Sequence, residues 1–150
     1  MQVHFANVWE AIADEVGDRT ALIHGDEQVS WREYDERAAR LAQFLLDQGL
    51  QPDSKVALYL YNGIEYVVAQ YAAFKIRASP VNVNYRYTDN ELLYLLDNSD
   101  AEVLVFHSSL GDRVERVLGK APKLRAVIEV DDGGPHGRRT PASSRARRRG

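Results

Sequence analysis

The segment Lys55–Asn84, KVALYLYNGIEYVVAQYAAFKIRASPVNVN, decides the fold. Its first seven residues, KVALYLY, form a nearly continuous apolar run, which suits a strand buried on both faces, as in a parallel sheet. Asn62 has Glu65 three residues later, the pattern of a capping box. A mostly apolar helix is therefore predicted from Ile64 to about Arg77. Pro80–Asn84, PVNVN, then reads as a short strand. A strand, a helical crossover and a second strand make a unit that pairs its strands in parallel.

Downstream the alternation continues. Thr88 with Glu91 is another capping box, ahead of Leu92, Leu93, Leu95 and Leu96. Glu102–Phe106 reads as a strand, Asp112–Leu118 as a short helix and Arg125–Val130 as a further strand. Upstream, Phe5, Val8, Trp9, Ile12 and Val16 recur at three- and four-residue steps and form one helical stripe, which stops near Gly17. TALIHGDEQVSW, residues 20–31, reads as a hairpin turning at Gly25-Asp26, where Gly25 can take positive φ. Ser30 with Glu33 is a third capping box, each such cap contributing about 1 kcal/mol. The helix that follows carries the stripe Trp31, Tyr34, Ala38, Leu41 and Leu45, and Gly49 stands where a left-handed cap is expected. The fold class read from this order is α/β, a mostly parallel sheet with helices on its faces, preceded by a β-hairpin.

The composition fits a soluble globular protein: 150 residues, 45% hydrophobic and 27% charged. The longest apolar candidate, VVAQYAAFKI (Val67–Ile76), is interrupted by Gln70 and Lys75 and is shorter than the roughly 20 residues that span a bilayer. The first residues, MQVHFANVWEAIADEV, lack the basic start and small-residue cleavage site of a signal peptide. With no cysteine in the chain, disulfides, thiolate nucleophiles and cysteine-ligated metals are excluded. A cytoplasmic location is expected.

The net charge of −3 joins two unlike pieces. Residues 1–132 hold all 22 acids and 13 of the 19 Lys and Arg, a balance of 13 − 22 = −9. Residues 133–150 carry six arginines and no acid, a balance of +6. This tail, GGPHGRRTPASSRARRRG, has no Leu, Ile, Val or aromatic residue, so disorder is expected across it. The organisation read here is a domain at 1–132 and a tail at 133–150.

His4, His24, His107 and His136 share no metal-binding spacing. His107-Ser108-Ser109 sets a base beside two hydroxyls. However, neighbours on an extended chain point apart, no G-x-S-x-G elbow surrounds them, and the serines suit helix N-caps better. Neither GxGxxG nor GxxxxGK[ST] occurs. The acid pairs Asp14-Glu15, Asp26-Glu27 and Asp35-Glu36 fall on expected solvated faces or turns. In VNVNYRY, Asn82 and Asn84 suggest a strand ending in a hydrogen-bonded bend. Arg86 there either meets an anion or, the favoured reading, pairs with an acid and packs between tyrosines. The arginine tail could neutralise phosphates, but it comes with no reader element and no stacking aromatics. No catalytic, cofactor-binding or metal-binding residue is assigned, and neither nucleic acid nor a membrane span is expected.

Ala21-Leu22-Ile23, the S-W-R-E helix start, Val56-Ala57-Leu58 leading into Asn62, Lys75–Tyr87 (KIRASPVNVNYRY) and Glu91–Asp100 (ELLYLLDNSD) occur in one order. Over about Phe5–Asp132 the chain thereby resembles the N-terminal region of AMP-forming acyl-CoA synthetases, in the branch that activates fatty acids and steroid side chains. The resemblance implies an enzyme that joins a carboxylic acid to ATP, with magnesium, and passes the acyl group to coenzyme A. It implies the first, largely scaffolding part of a large domain of sheets covered by helices. The family's Ser/Thr/Gly-rich phosphate loop, its aromatic-Gly-x-Thr-Glu motif, its ribose-binding aspartate, its hinge and its C-terminal lysine have no counterpart here. Adenylation needs cations and backbone donors aimed at developing phosphate charge, so the chain alone is expected to be inactive, with the remainder of a synthetase or self-association as its partner. Loss of the resemblance at Gly133 suggests a tail read from a shifted frame. The alternative is a non-catalytic α/β binding or interaction module.

Overall fold

The computed structural model describes residues 4–132 and 144–148. The chain divides into two compact units, one of residues 1–53 and 62–78, the other of residues 54–61 and 79–150.

In the first unit, α1 (Phe5–Val16) precedes the hairpin β1 (Thr20–His24) and β2 (Glu27–Ser30), and α2 (Trp31–Asp47) follows directly. The hairpin turns at Gly25, whose φ of 60° is open to glycine at little cost. The Ser30 hydroxyl accepts from the Glu33 N–H at 3.2 Å, so the expected cap starts α2. Gly49, with φ of 86°, ends it in the left-handed region as expected. Helix α3 (Ile64–Lys75) completes the unit. Its start differs from the expectation. The N-cap is Gly63 in extended backbone, with no side-chain cap, so Asn62 and Glu65 form no capping box. Helix α3 is instead held through packing: Tyr34 donates from its hydroxyl to the Val67 carbonyl at 3.0 Å, and Trp9, Tyr34 and Tyr71 pack ring against ring.

In the second unit, β3 (Lys55–Tyr59), β4 (Ser79–Asn82), β5 (Ala101–His107), β6 (Ala126–Val130) and β7 (Ser144–Arg148) form one sheet in the order β4-β3-β5-β6-β7. The pairs β3–β4, β3–β5 and β5–β6 are parallel. The KVALYLY run is thus a central strand, as its composition requires. Val56, Ala57, Leu58 and Tyr59 are each at most 1% exposed. Helices α4 (Asp89–Asn98) and α5 (Gly111–Leu118) place Leu92, Leu96, Val114 and Val117 in one core with Ala57, Tyr59, Leu104, Phe106 and Val127 of the strands. At the start of α4, the Thr88 N–H and hydroxyl both donate to the Glu91 carboxylate, as the sequence led one to expect.

The tail departs from its expected disorder at Ser144–Arg148, which forms β7 antiparallel to β6 over five register pairs, Ala126–Arg148 to Val130–Ser144. Backbone ladder bonds need no apolar side chain, which is how an arginine-rich segment can extend a sheet. The rest of the tail, His136 included, lies outside the described residues. Among the described residues, no helix is long and apolar enough to cross a membrane.

Candidate functional site

The sheet order places β3 between β4 and β5, so the chain leaves β3 toward one side and returns to the other. In open α/β sheets such a switch point, at the carboxyl ends of the strands, is where ligands bind. Here those ends bring together Tyr61 just past β3, Tyr85 beyond β4, and His107 at the end of β5. The Tyr61 N–H donates to His107 Nδ1 at 3.0 Å, and the two rings stack with centroids 5.5 Å apart. Tyr85 lies 4.8 Å from the Tyr61 ring. Because His107 Nδ1 accepts this bond, the nitrogen that a serine would need as a base is already engaged.

The serines beyond it are engaged too. Ser108, fully buried, and Ser109 both donate their hydroxyls to the Asp132 carboxylate, which also accepts the Ser109 N–H at 3.1 Å. Asp132 therefore caps the short 3-10 turn Ser108–Leu110 from the end of β6, a role expected of the serines themselves. Each serine proton points at a carboxylate rather than at the imidazole. This is not the geometry of a nucleophile with its base.

Arg113 of α5 reaches the same end of the sheet. Its guanidinium donates to the Tyr85 carbonyl at 2.9 Å, the Tyr59 hydroxyl at 3.2 Å and the Tyr87 carbonyl at 3.3 Å. Tyr59, itself buried, donates to the Tyr87 carbonyl at 2.8 Å. The bond to the Tyr59 hydroxyl is the main reason the Arg113 pKa rises above its ordinary value, so the group stays a cation. Together these contacts pin the bend after β4, where the Asn84 side chain also accepts from the Arg86 N–H at 2.9 Å. The bend expected from the two asparagines is present. Arg86 is exposed, with its guanidinium carbon 5.6 Å from the Tyr85 ring. The tyrosine contact expected of it is there. The expected partner acid is not among the ion pairs of the described residues.

The first unit holds its own polar cluster. Lys75, with a side chain 13% exposed, sits 2.8 Å from Asp35 and 3.2 Å from Glu10, and 4.6 Å from the centre of the Tyr71 ring. The Tyr71 hydroxyl donates to Asp35. Burial first, then that carboxylate, pushes the Tyr71 phenol well above its ordinary range, and burial does the same to Tyr34. Asp35 was expected on a solvated face. It was drawn into this cluster because Lys75 needs a counter-charge where α1, α2 and α3 meet. The other expected surface acids, Asp14, Glu15, Asp26, Glu27 and Glu36, are exposed. His4 caps α1 by accepting the Ala6 N–H at 3.1 Å, and His24 is exposed. Sequence reasoning missed Asp132, Arg113, Asp35 and Lys75. The one signal it had was Lys75, a lone cation inside an apolar run.

What this chemistry can do is bounded. Among the described residues no three His, Asp or Glu side chains gather as a metal site. Lys75 and Arg113 are taken up by carboxylates, carbonyls and a hydroxyl of the chain itself. Both cations are committed to holding this chain's own helices and loops.

A family model described as AMP-binding enzyme matches residues 9–148, past the Asp132 at which the resemblance was expected to stop. The chain is 45% identical over 131 residues to a medium/long-chain-fatty-acid–CoA/3-oxocholest-4-en-26-oate–CoA ligase of Mycobacterium tuberculosis, covering 87% of this chain and 24% of the relative. It is 43% identical over 133 residues to a 3-oxocholest-4-en-26-oate–CoA ligase of Rhodococcus rhodochrous, covering 89% and 24%. The crystal structure of a long-chain-fatty-acid–CoA ligase from Archaeoglobus fulgidus superposes with a TM-score of 0.77 at 27% identity, covering 89% of this chain and 28% of that one. The chain spans about a quarter of the length of the curated relatives it matches.

Proposed function

We propose, from the premise that this chain belongs to the AMP-binding enzyme family, that it is the N-terminal scaffold segment of an AMP-forming acyl-CoA ligase for fatty or steroid-side-chain acids. In this reading the chain does not form acyl-adenylate by itself. The observation that carries the second half is the state of two half-buried cations: Lys75 is neutralised by Asp35 and Glu10, and Arg113 is consumed by the bend after β4. Triphosphate binding needs such groups free to face the ligand. The acyl class rests on the two relatives named for fatty-acid and 3-oxocholest-4-en-26-oate substrates. Coenzyme A, ATP and magnesium would belong to the complete ligase, and the remainder of that ligase is the partner this segment would meet.

A thermal-shift titration with magnesium–ATP tests this. A ligand that binds only the folded state raises stability by about 2.7 kcal/mol at a hundred times its Kd, so the reading expects no shift up to millimolar ATP. A saturable rise would refute it. The change of composition at Gly133 favours a shifted reading frame for the tail, and the family match that runs on to residue 148 weighs against it. The coding sequence tests that separately: an intact upstream frame encoding the tail, with no ligase remnant behind it, would exclude the idea.

A further inference from the structure

The chain holds six asparagines, and the fold treats one of them differently. Asn7 lies in α1 and accepts from the Arg77 guanidinium at 2.8 Å. Asn90 and Asn98 lie in α4, where the helical ladder fixes the backbone. Asn82 closes β4, and Asn84 accepts the Arg86 N–H at 2.9 Å. Asn62 stands in the exposed bend that carries the chain from β3 into α3. The cap expected of it is not formed, and among the described residues its side chain has no hydrogen-bond partner. It is also the one asparagine followed by glycine.

Glycine has no side chain to shield its own amide nitrogen, so a neighbouring group can approach closely. A Cβ placed on Gly63 would stand 3.7 Å from Cε1 and 3.8 Å from Nδ1 of His24, and 3.5 Å from Glu65 Oε2. The space beside Gly63 therefore holds a ring nitrogen able to take a proton. We propose that Asn62-Gly63 is a self-modifying site at which the asparagine amide is lost as ammonia, with His24 as the base. The Gly63 nitrogen attacks the side-chain carbonyl carbon of Asn62 while His24 takes the N–H proton. A new carbon–nitrogen bond forms, the bond to Nδ2 breaks, and the amide leaves as ammonia with that proton. Water then opens the cyclic imide at either carbonyl and leaves aspartate or isoaspartate at position 62. Both products put a negative charge ahead of α3, whose first N–H groups have no side-chain cap, and the helix dipole favours such a charge. The inference is independent of the ligase reading.

The test holds the full chain at neutral pH and samples it over days. Peptide mass spectrometry reads the amide-to-acid change at each asparagine, and an isoaspartate-specific carboxyl methyltransferase reads the isomer. Conversion at Asn62 is expected while the other asparagines remain amides. Earlier conversion at any of those overturns the proposal. His24→Gln keeps an exposed polar side chain and should slow the reaction about tenfold, less than a fully aligned base supplies. Equal rates in the parent and this variant, with the variant folded by circular dichroism, overturn the role of His24. In case the variant unfolds, the parent is compared with itself in urea at the same pH. The folded chain should convert faster, since only the fold brings His24 to Gly63. A slower folded rate overturns the proposal as well.

Discussion

Lys75 at the end of α3 holds its ammonium 2.8 Å from the Asp35 carboxylate of α2, with only 13% of the lysine side chain exposed. The pair fixes one helix against another, and Glu10 of α1 joins it at 3.2 Å. Removing one member of a buried pair leaves the other charge without compensation.

Lys75→Met should therefore cost about 2 kcal/mol, less than the loss for a fully buried pair because Asp35 keeps 31% exposure. Adding Asp35→Asn should recover part of that loss, since the amide still accepts from Tyr71 without a stranded charge. Urea unfolding of the single and double variants measures both. Equal loss in the two would show that packing, not charge, is what Lys75 supplies.

At the switch point of the sheet, His107→Leu keeps the apolar bulk and removes the acceptor for the Tyr61 N–H. An amide stripped of its partner costs about 1–3 kcal/mol. The same urea series should show that loss, with faster exchange of the Tyr61 amide. A neutral effect on both would mean the bond contributes nothing.

His4 makes α1 sensitive to acid. Burial first, and then the Arg77 guanidinium, hold its pKa below the ordinary 6.5. The folded state therefore binds this proton less readily than the unfolded chain. The stability it contributes is present above about pH 6.5 and is lost as pH falls through the lower folded value. Protonation also removes the Nδ1 lone pair that accepts the Ala6 N–H. A cap of this kind is worth about 0.5–2 kcal/mol. His4→Asn should keep the cap and flatten the pH dependence of stability between neutral and mildly acidic pH. An unaltered pH profile in that variant would contradict the assignment.

Gly17 closes α1 with φ of −54°, ordinary for any residue, so its requirement is space rather than conformation. A Cβ there would stand 2.7 Å from the Ala13 carbonyl oxygen and 3.0 Å from the Arg32 guanidinium. Gly17→Ala should cost about 1–3 kcal/mol by overpacking, read from the shift in urea midpoint. A stabilised variant would show that the turn relaxes freely.

Much of the fold could be read from periodicity alone. KVALYLY is a strand because a nearly continuous apolar run demands burial on two faces, AVIEV follows the same logic with Glu129 alone interrupting it, and the parallel order follows from the helices between them. The Ser30 and Thr88 caps were visible because their partners lie three residues away. Asn62 failed for the same local reasoning: the pattern was present, yet the chain reaches Ile64 through extended Gly63, and packing against Trp9 and Tyr34 holds the helix. The polar clusters were hidden because their members are far apart in sequence. Asp132 meets Ser108 across 24 positions, and Arg113 meets Tyr59 across 54. Nothing in either stretch announces the other. Strand β7 was hidden for a different reason, since backbone pairing with β6 asks for no apolar pattern in the sequence that supplies it.

The most direct trial of the ligase-segment reading is ATP–pyrophosphate exchange by the purified full chain, with saturated fatty acids and a steroid-side-chain acid as substrates. The account predicts no acid-dependent exchange above a blank, because Lys75 and Arg113 are bound within the chain. Exchange that depends on the acid, scales with protein and survives further purification would contradict it.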